Sequence, residues 1–243
     1  MKEDIRPAFY ALRAGGWRDY VTLLHPPYTA WHLSYVVVGA ALAPEWRPDR
    51  LGAGLVAFFL GLGVAAHALD EVNGRPLGTQ IPAPVLWALA ACSLAGAVAV
   101  GIAAAVAWTP WLLAFVAAGG FVACAYNLEL LGGRFHGDAW FAVSWGALPL
   151  LASYLAAAGT LAWQALLAAA FAALLSLAQR RLSTAVRLAR RGVARVAGTL
   201  ELHDGQTLPL TRERLVAAPE EALRALALAV VCLAAALVVL RER

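Results

Sequence analysis

His67, Asp70, Glu71, Asn73 and Arg75 crowd into the stretch HALDEVNGRPLGTQIP of a chain otherwise dominated by alanine, leucine, valine and glycine. On a helix running to Glu71, the first three occupy positions i, i+3 and i+4 and share one face. Two carboxylates beside an imidazole can hold a divalent cation, and an oxygen-rich set favours Mg²⁺. The plainer reading is a helix end whose charges reach water, with Asn73-Gly74 and Arg75-Pro76 opening a loop.

Two further groups carry chemistry. Tyr126, Asn127, Glu129, Arg134, His136 and Asp138 lie in YNLELLGGRFHGD; they make a polar loop in which Asp138 caps the next helix, or His136 and Asp138 add ligands for the same cation. Gln179, Arg180, Arg181, Arg187, Arg190 and Arg191 follow in QRRLSTAVRLARR. Those arginines can pair with anionic lipid headgroups, or Arg180 and Arg181 can clamp a diphosphate with their forked donors. His32 and Ser34, after Pro26-Pro27, read as hydrogen-bonding groups between packed helices.

The elements that position these groups are membrane spans. Of the 243 residues 62% are hydrophobic and 14% charged, with a mean hydropathy of +0.70. The apolar residues form unbroken blocks about as long as the ~20 residues a spanning helix needs. A membrane barrel would instead alternate polar and apolar positions. We expect an all-α integral membrane bundle of about seven spans, near 28–44, 51–70, 83–107, 109–128, 139–158, 161–179 and 221–240.

With the N-terminus inside, 15 of the 19 lysines and arginines fall on the cytosolic side; only Arg47, Arg50, Arg241 and Arg243 fall outside. The positive-inside rule expects that bias, so the basic balance reports orientation and calls for no nucleic acid. It places a multi-pass protein in the inner (plasma) membrane with its N-terminus and polar loops cytosolic. The N-terminal stretch has no apolar core of a signal peptide. Cys92, Cys124 and Cys232 sit in apolar runs without ligand spacing and read as small buried hydrophobes. Asp204-Gly205 suits a two-residue turn between short strands. The resulting division is a cytosolic amphipathic segment (1–27), a bundle (28–195), a cytosolic β-hairpin (196–218) and a final span (219–243) opened by Pro219, Glu220 and Glu221.

Over about residues 17–195 this order resembles the UbiA-type polyprenyltransferase superfamily. WRDYVTLLHPPYTAWHLSYVVVGAALA looks like that family's first helix. HALDEVNGRPLGTQIP stands where its first Asp-rich motif would be, YNLELLGGRFHGDAWFAVSWGALPLLASYLAAAG is similar to its fourth-to-fifth helix connection, and QRRLSTAVRLARRG stands at its second Asp-rich motif. The resemblance implies transfer of a polyprenyl group from a prenyl diphosphate to a small or lipid acceptor. It assigns Asp70 and Glu71 to Mg²⁺, Tyr126 and Asn127 to the acceptor, and His67, Asn73, Arg75, Arg134, Arg180 and Arg181 to the substrate. The chain departs from the family where the first motif shrinks to His67-Ala68-Leu69-Asp70-Glu71 and the second, Gln179-Arg180-Arg181-Leu182-Ser183, has no carboxylate. That departure favours a second expectation, a non-catalytic UbiA-like subunit that binds lipid or a membrane partner, or pairs with its own copy.

Overall fold

The computed structural model describes residues 6–243; residues 1–5 of the expected N-terminal segment lie outside the described part. Prolines set several helix starts, because a ring at the first helical position gives up only an amide that would have no partner there. After a short helix, Trp17–Leu23 (α1), the helix Pro26–Leu42 (α2) opens on Pro26-Pro27, and Pro48–Val72 (α3) opens on Pro48. Ala83–Ala107 (α4), Leu112–Asn127 (α5), Asp138–Ala158 (α6) and Trp163–Gly192 (α7) follow. A two-stranded hairpin, Thr199–Glu201 (β1) and Thr207–Pro209 (β2), precedes the last helix, Arg212–Arg241 (α8).

Five of these, α3, α4, α6, α7 and α8, are long and apolar enough to cross a membrane, which makes this a multi-pass membrane protein. The remaining two expected spans fall on shorter helices, α2 with 17 residues and α5 with 16.

Helix α6 is the axial element. Two thirds of its most apolar window, 67%, is enclosed by the protein, against 11% for the peripheral α4. It packs on α2 and α7, and α8 lies along both α2 and α7. The shared core holds Trp31, Tyr35, Leu150, Ala172 and Val230. Close approach is bought by glycine: a Cβ on Gly39 would sit 2.2 Å from the Leu150 carbonyl oxygen, and one on Gly146 would sit 2.5 Å from that of Ala172. Small residues at such crossings let backbones touch, the usual basis of helix packing in lipid.

Three helices depart from α geometry: Phe59–Ala66 within α3, Ala142–Ala147 within α6 and Leu188–Gly192 at the end of α7 are π-helical, a distortion frequent at functional sites.

The hairpin forms as expected but with a longer turn. Leu202 N–H donates to the Gln206 carbonyl at 2.8 Å, leaving His203, Asp204 and Gly205 as the loop. Gly205 takes the left-handed φ of +82° that a three-residue loop requires. The last helix starts at Arg212, earlier than the sequence suggested, capped by the Thr211 hydroxyl that accepts from Arg214 N–H. Pro219 therefore lies inside α8, where it leaves the carbonyl one turn back without an amide partner. That carbonyl belongs to Leu215, an exposed residue. Of the cysteines, Cys92 and Cys232 are exposed and Cys124 half-buried. The expectation that all three are buried is corrected, since apolar outer faces of such helices accept a thiol as readily as a core does.

Candidate functional site

At one end of the bundle the C-terminal turn of α3, the end of α5, the start of α6 and the last turns of α7 surround a cavity of about 100 Å³. Residues 7–10 and His25, just before α2, complete its wall. All three groups of polar residues singled out in the sequence reach this cavity, but only some of their members do.

From the first group, His67 and Asp70 line it and Glu71 does not. Glu71 is fully buried, and its carboxylate accepts from Leu77 N–H at 2.9 Å, Thr79 N–H at 2.8 Å and the Thr79 hydroxyl at 2.9 Å. Arg75 closes the same loop by donating to the carbonyls of Thr79 (3.1 Å) and Ile81 (2.6 Å). Buried Asp19 holds it from outside by accepting Gln80 N–H at 2.9 Å. Asn73 donates to the Asn127 carbonyl at 3.1 Å, joining α3 to α5. Much of HALDEVNGRPLGTQIP is thus a folded clamp.

From the second group, Tyr126, Asn127 and His136 line the cavity. The Tyr126 ring stacks on His136 at 4.4 Å and lies 4.5 Å from Trp145. Asn127 spends its amide on the Ala123 carbonyl at 2.7 Å. Arg134 is exposed and does not line the cavity. From the third group, Arg180, Arg187, Arg191, Gln179 and Ser183 line it. Arg180 sits over the Tyr126 and Phe141 rings at 5.6 and 5.5 Å. Asp138 pairs with Arg180 at 3.4 Å and with exposed Arg181 at 2.7 Å.

The expected Mg²⁺ set does not fit this arrangement. Asp70 and Glu71 do not face the same space, both Glu71 oxygens are taken by the loop, and both Asp138 oxygens are taken by arginines. Among the described residues no group of three or more His, Cys, Asp or Glu side chains converges on one point.

What converges instead is a set of buried polar atoms without partners. His25 Nε2, His32 Nδ1, Tyr126 Oη and Gln179 Oε1 make no hydrogen bond, and all four residues line this cavity. Buried polar atoms are normally satisfied, and each exception has a cost of roughly 1–3 kcal/mol. Four of them line one space, two at α2 and one each on α5 and α7. Three arginines line the cavity against one carboxylate, Asp70. His25 stacks on His67 at 4.0 Å, and His67 Nδ1–H donates to the Gly63 carbonyl at 3.0 Å. Burial first, then His67 and the Arg191 and Arg187 guanidiniums, push the His25 pKa well below the usual histidine value, so its ring is neutral. His25 also holds a left-handed backbone (φ +46°), a conformation that costs of order 1–3 kcal/mol outside glycine and persists where the surroundings impose it.

His25, Tyr10 and Tyr28 were missed in the sequence. None carries a spacing signal; each reaches the cavity through chain crossings, with Tyr10 packed on His25 at 5.3 Å and on Tyr28 at 5.4 Å. The N-terminal stretch is held there by Arg191 Nε, which donates to the Pro7 carbonyl at 3.1 Å, and by Arg190, which donates to that of Arg6 at 3.3 Å. Arg190 itself is fixed by a bidentate pair with buried Glu220 at 2.6 and 2.9 Å.

A second cavity of about 150 Å³, almost wholly apolar, lies between α3, α4, α5 and α6, and Trp145 lines both. Comparison of the chain with protein-family models, with curated proteins and with solved structures finds no match in any of the three.

Proposed function

We propose that the chain is a divergent UbiA-like membrane prenyltransferase whose seven helices α2 to α8 all cross the bilayer, with the polar cavity on the cytosolic side. The observation that carries this reading is the convergence of four unpartnered polar atoms and three arginines on one cavity. Guanidinium groups are suited to phosphate oxygens, and a site with a surplus of them neutralises a diphosphate. The excess of arginine on the same end favours the cytosolic side.

In this reading Arg180, Arg187 and Arg191 hold the diphosphate of a prenyl donor. The donor's C1–O bond breaks, its electron pair leaves with the diphosphate, and an atom of the acceptor bonds to C1. The arginines stabilise the negative charge that develops on the leaving group. Tyr126 and Gln179 orient the acceptor, and Asp70, the one cavity carboxylate, takes the acceptor's proton. No step is routed through Mg²⁺, because the donor set does not fit it.

A second reading, a non-catalytic subunit that binds a phosphorylated lipid, is favoured by the engagement of Glu71 and Asp138 in internal bonds. Binding and turnover separate the two. The purified full chain should bind geranylgeranyl diphosphate, and Arg187→Gln, which leaves the Arg180–Asp138 pair in place, should weaken that binding by at least about tenfold. Unchanged affinity in Arg187→Gln rejects a diphosphate site here; binding without transfer to any offered acceptor selects the second reading.

A further inference from the structure

We infer that residues 6–12 form a lid over the polar cavity, that Arg191 is its latch, and that an anion bound beneath holds the lid shut; the coupling to an anion rests on the diphosphate reading of that cavity. The segment has neither helix nor strand. A turn closed by Ala11 N–H, which donates to the Ala8 carbonyl at 3.1 Å, keeps both alanines buried. Phe9 joins the apolar cluster of Val186, Val216 and Leu223 on α7 and α8, and Tyr10 meets the His25 ring. Side chains of α7 tie down the leading end: Arg191 through the Pro7 carbonyl and Arg190 through that of Arg6. Both arginines belong to the π-helical last turn, Leu188–Gly192. At the other end Leu12 N–H donates to the Thr22 hydroxyl at 3.0 Å, and the chain enters α1 through Gly15 and Gly16, whose left-handed φ values of +116° and +64° suit a pivot. A segment tied by side chains at one end and by a glycine pair at the other lifts by local opening, with no helix to unfold.

The two arginines differ in what they have left to give. Arg190 is committed to buried Glu220 by its bidentate pair and does not line the cavity. Arg191 lines it and reaches Pro7 with Nε. A guanidinium carries five N–H donors in a rigid fork, so the Nη groups of Arg191 can take phosphate oxygens while Nε keeps the strap. The anion then fixes the guanidinium in the pose that reaches Pro7, and the closed strap fixes the same guanidinium for the anion. Coupling of this kind is reciprocal. Residues 7–10 are themselves a wall of the cavity, so lifting the strap opens the site to solvent and closing it keeps water from the bond that breaks.

The test is hydrogen–deuterium exchange of the full chain in detergent micelles, read on the amides of residues 8–12, with geranylgeranyl diphosphate and with geranylgeraniol, which has the same chain and no anion. Saturating geranylgeranyl diphosphate should slow exchange in the strap at least about fivefold and leave the hairpin amides of residues 199–206 as they were. Geranylgeraniol should not slow it. Arg191→Gln, at an exposed position, should keep the wild-type unfolding midpoint and lose the slowing at a diphosphate concentration that saturates the variant. Bound diphosphate with strap exchange unchanged or faster overturns the lid and leaves the diphosphate reading standing; faster exchange would make the segment a plug that the ligand displaces. Equal slowing by geranylgeraniol, or undiminished slowing in Arg191→Gln, overturns the anion latch. Failure of the diphosphate to bind the wild-type chain overturns that reading and the latch together.

Discussion

Glu71 and Asp70 are neighbours in sequence with opposite duties. Successive residues of a helix point about 100° apart, so a face defined by i, i+3 and i+4 admits either residue of a carboxylate pair without admitting both. Here Asp70 takes the cavity and Glu71 takes the loop. Removing the Glu71 carboxylate strands two backbone amides and a hydroxyl in a buried place, each costly to leave unpaired. Glu71→Ala should therefore lower stability by about 3 kcal/mol, read as a fall in thermal unfolding midpoint in detergent. Asp70→Asn should leave that midpoint close to the wild-type value and act on ligand turnover instead. If the two variants behave alike, the division of labour is wrong. The sequence showed that this stretch was polar and lay at a helix end. It could not show which carboxylate the loop would consume, because the donors at Leu77 and Thr79 are backbone groups that any residue supplies.

At the scale of elements the apolar runs were legible, since each of the seven expected spans coincides with the body of a helix and errors fall at the ends. Pro219 misled because proline is tolerated eight residues into α8, where the orphaned carbonyl is near solvent. The π-helical stretches within α3, α6 and α7 were not legible at all; like other tertiary demands they carry no local pattern of their own. Helix crossings are a further tertiary demand, and here the sequence offers glycine without saying which glycine matters. Gly120 has room beside it, whereas a Cβ on Gly146 would lie 2.5 Å from the Ala172 carbonyl oxygen and 2.8 Å from its carbon. Backbone atoms cannot give way as a side-chain tip can. Gly146→Ala should cost about 1–3 kcal/mol through forced separation of α6 and α7, measured as a lower unfolding midpoint, while Gly120→Ala should leave the midpoint nearly unchanged. Equal effects at the two positions would contradict the crossing geometry.

Across the whole molecule, the polar cavity depends on segments far apart in sequence: residues 7–10, the ends of α3 and α5, the start of α6 and the last turns of α7. Helix ends can meet in one place only if the chain reverses direction between them, which ties the cavity to the number of membrane crossings. Helix α2 is the critical case, because 17 residues span about 26 Å, slightly less than the ~30 Å hydrocarbon core. Arg241 donates to the carbonyls of Ala43 and Pro44 at 2.8 and 3.1 Å, anchoring the loop after α2 to the end of α8. That contact puts the α2–α3 loop and the C-terminus at one end of the bundle, and the proposal that all seven helices cross would put the hairpin and the cavity on the opposite face of the membrane. The prediction is read by single cysteines in a chain whose Cys92, Cys124 and Cys232 have been replaced by alanine. In intact cells a membrane-impermeant maleimide should label Glu45→Cys and spare Ala14→Cys and Gln206→Cys; in inside-out vesicles the pattern should reverse. Labelling of Ala14→Cys and Glu45→Cys from the same side would mean that α2 does not cross, and labelling of Glu45→Cys and Gln206→Cys from the same side would mean that an even number of crossings separates them; in either case α2 to α8 cannot all be spans and the polar cavity cannot be assigned to the cytosol by its arginines.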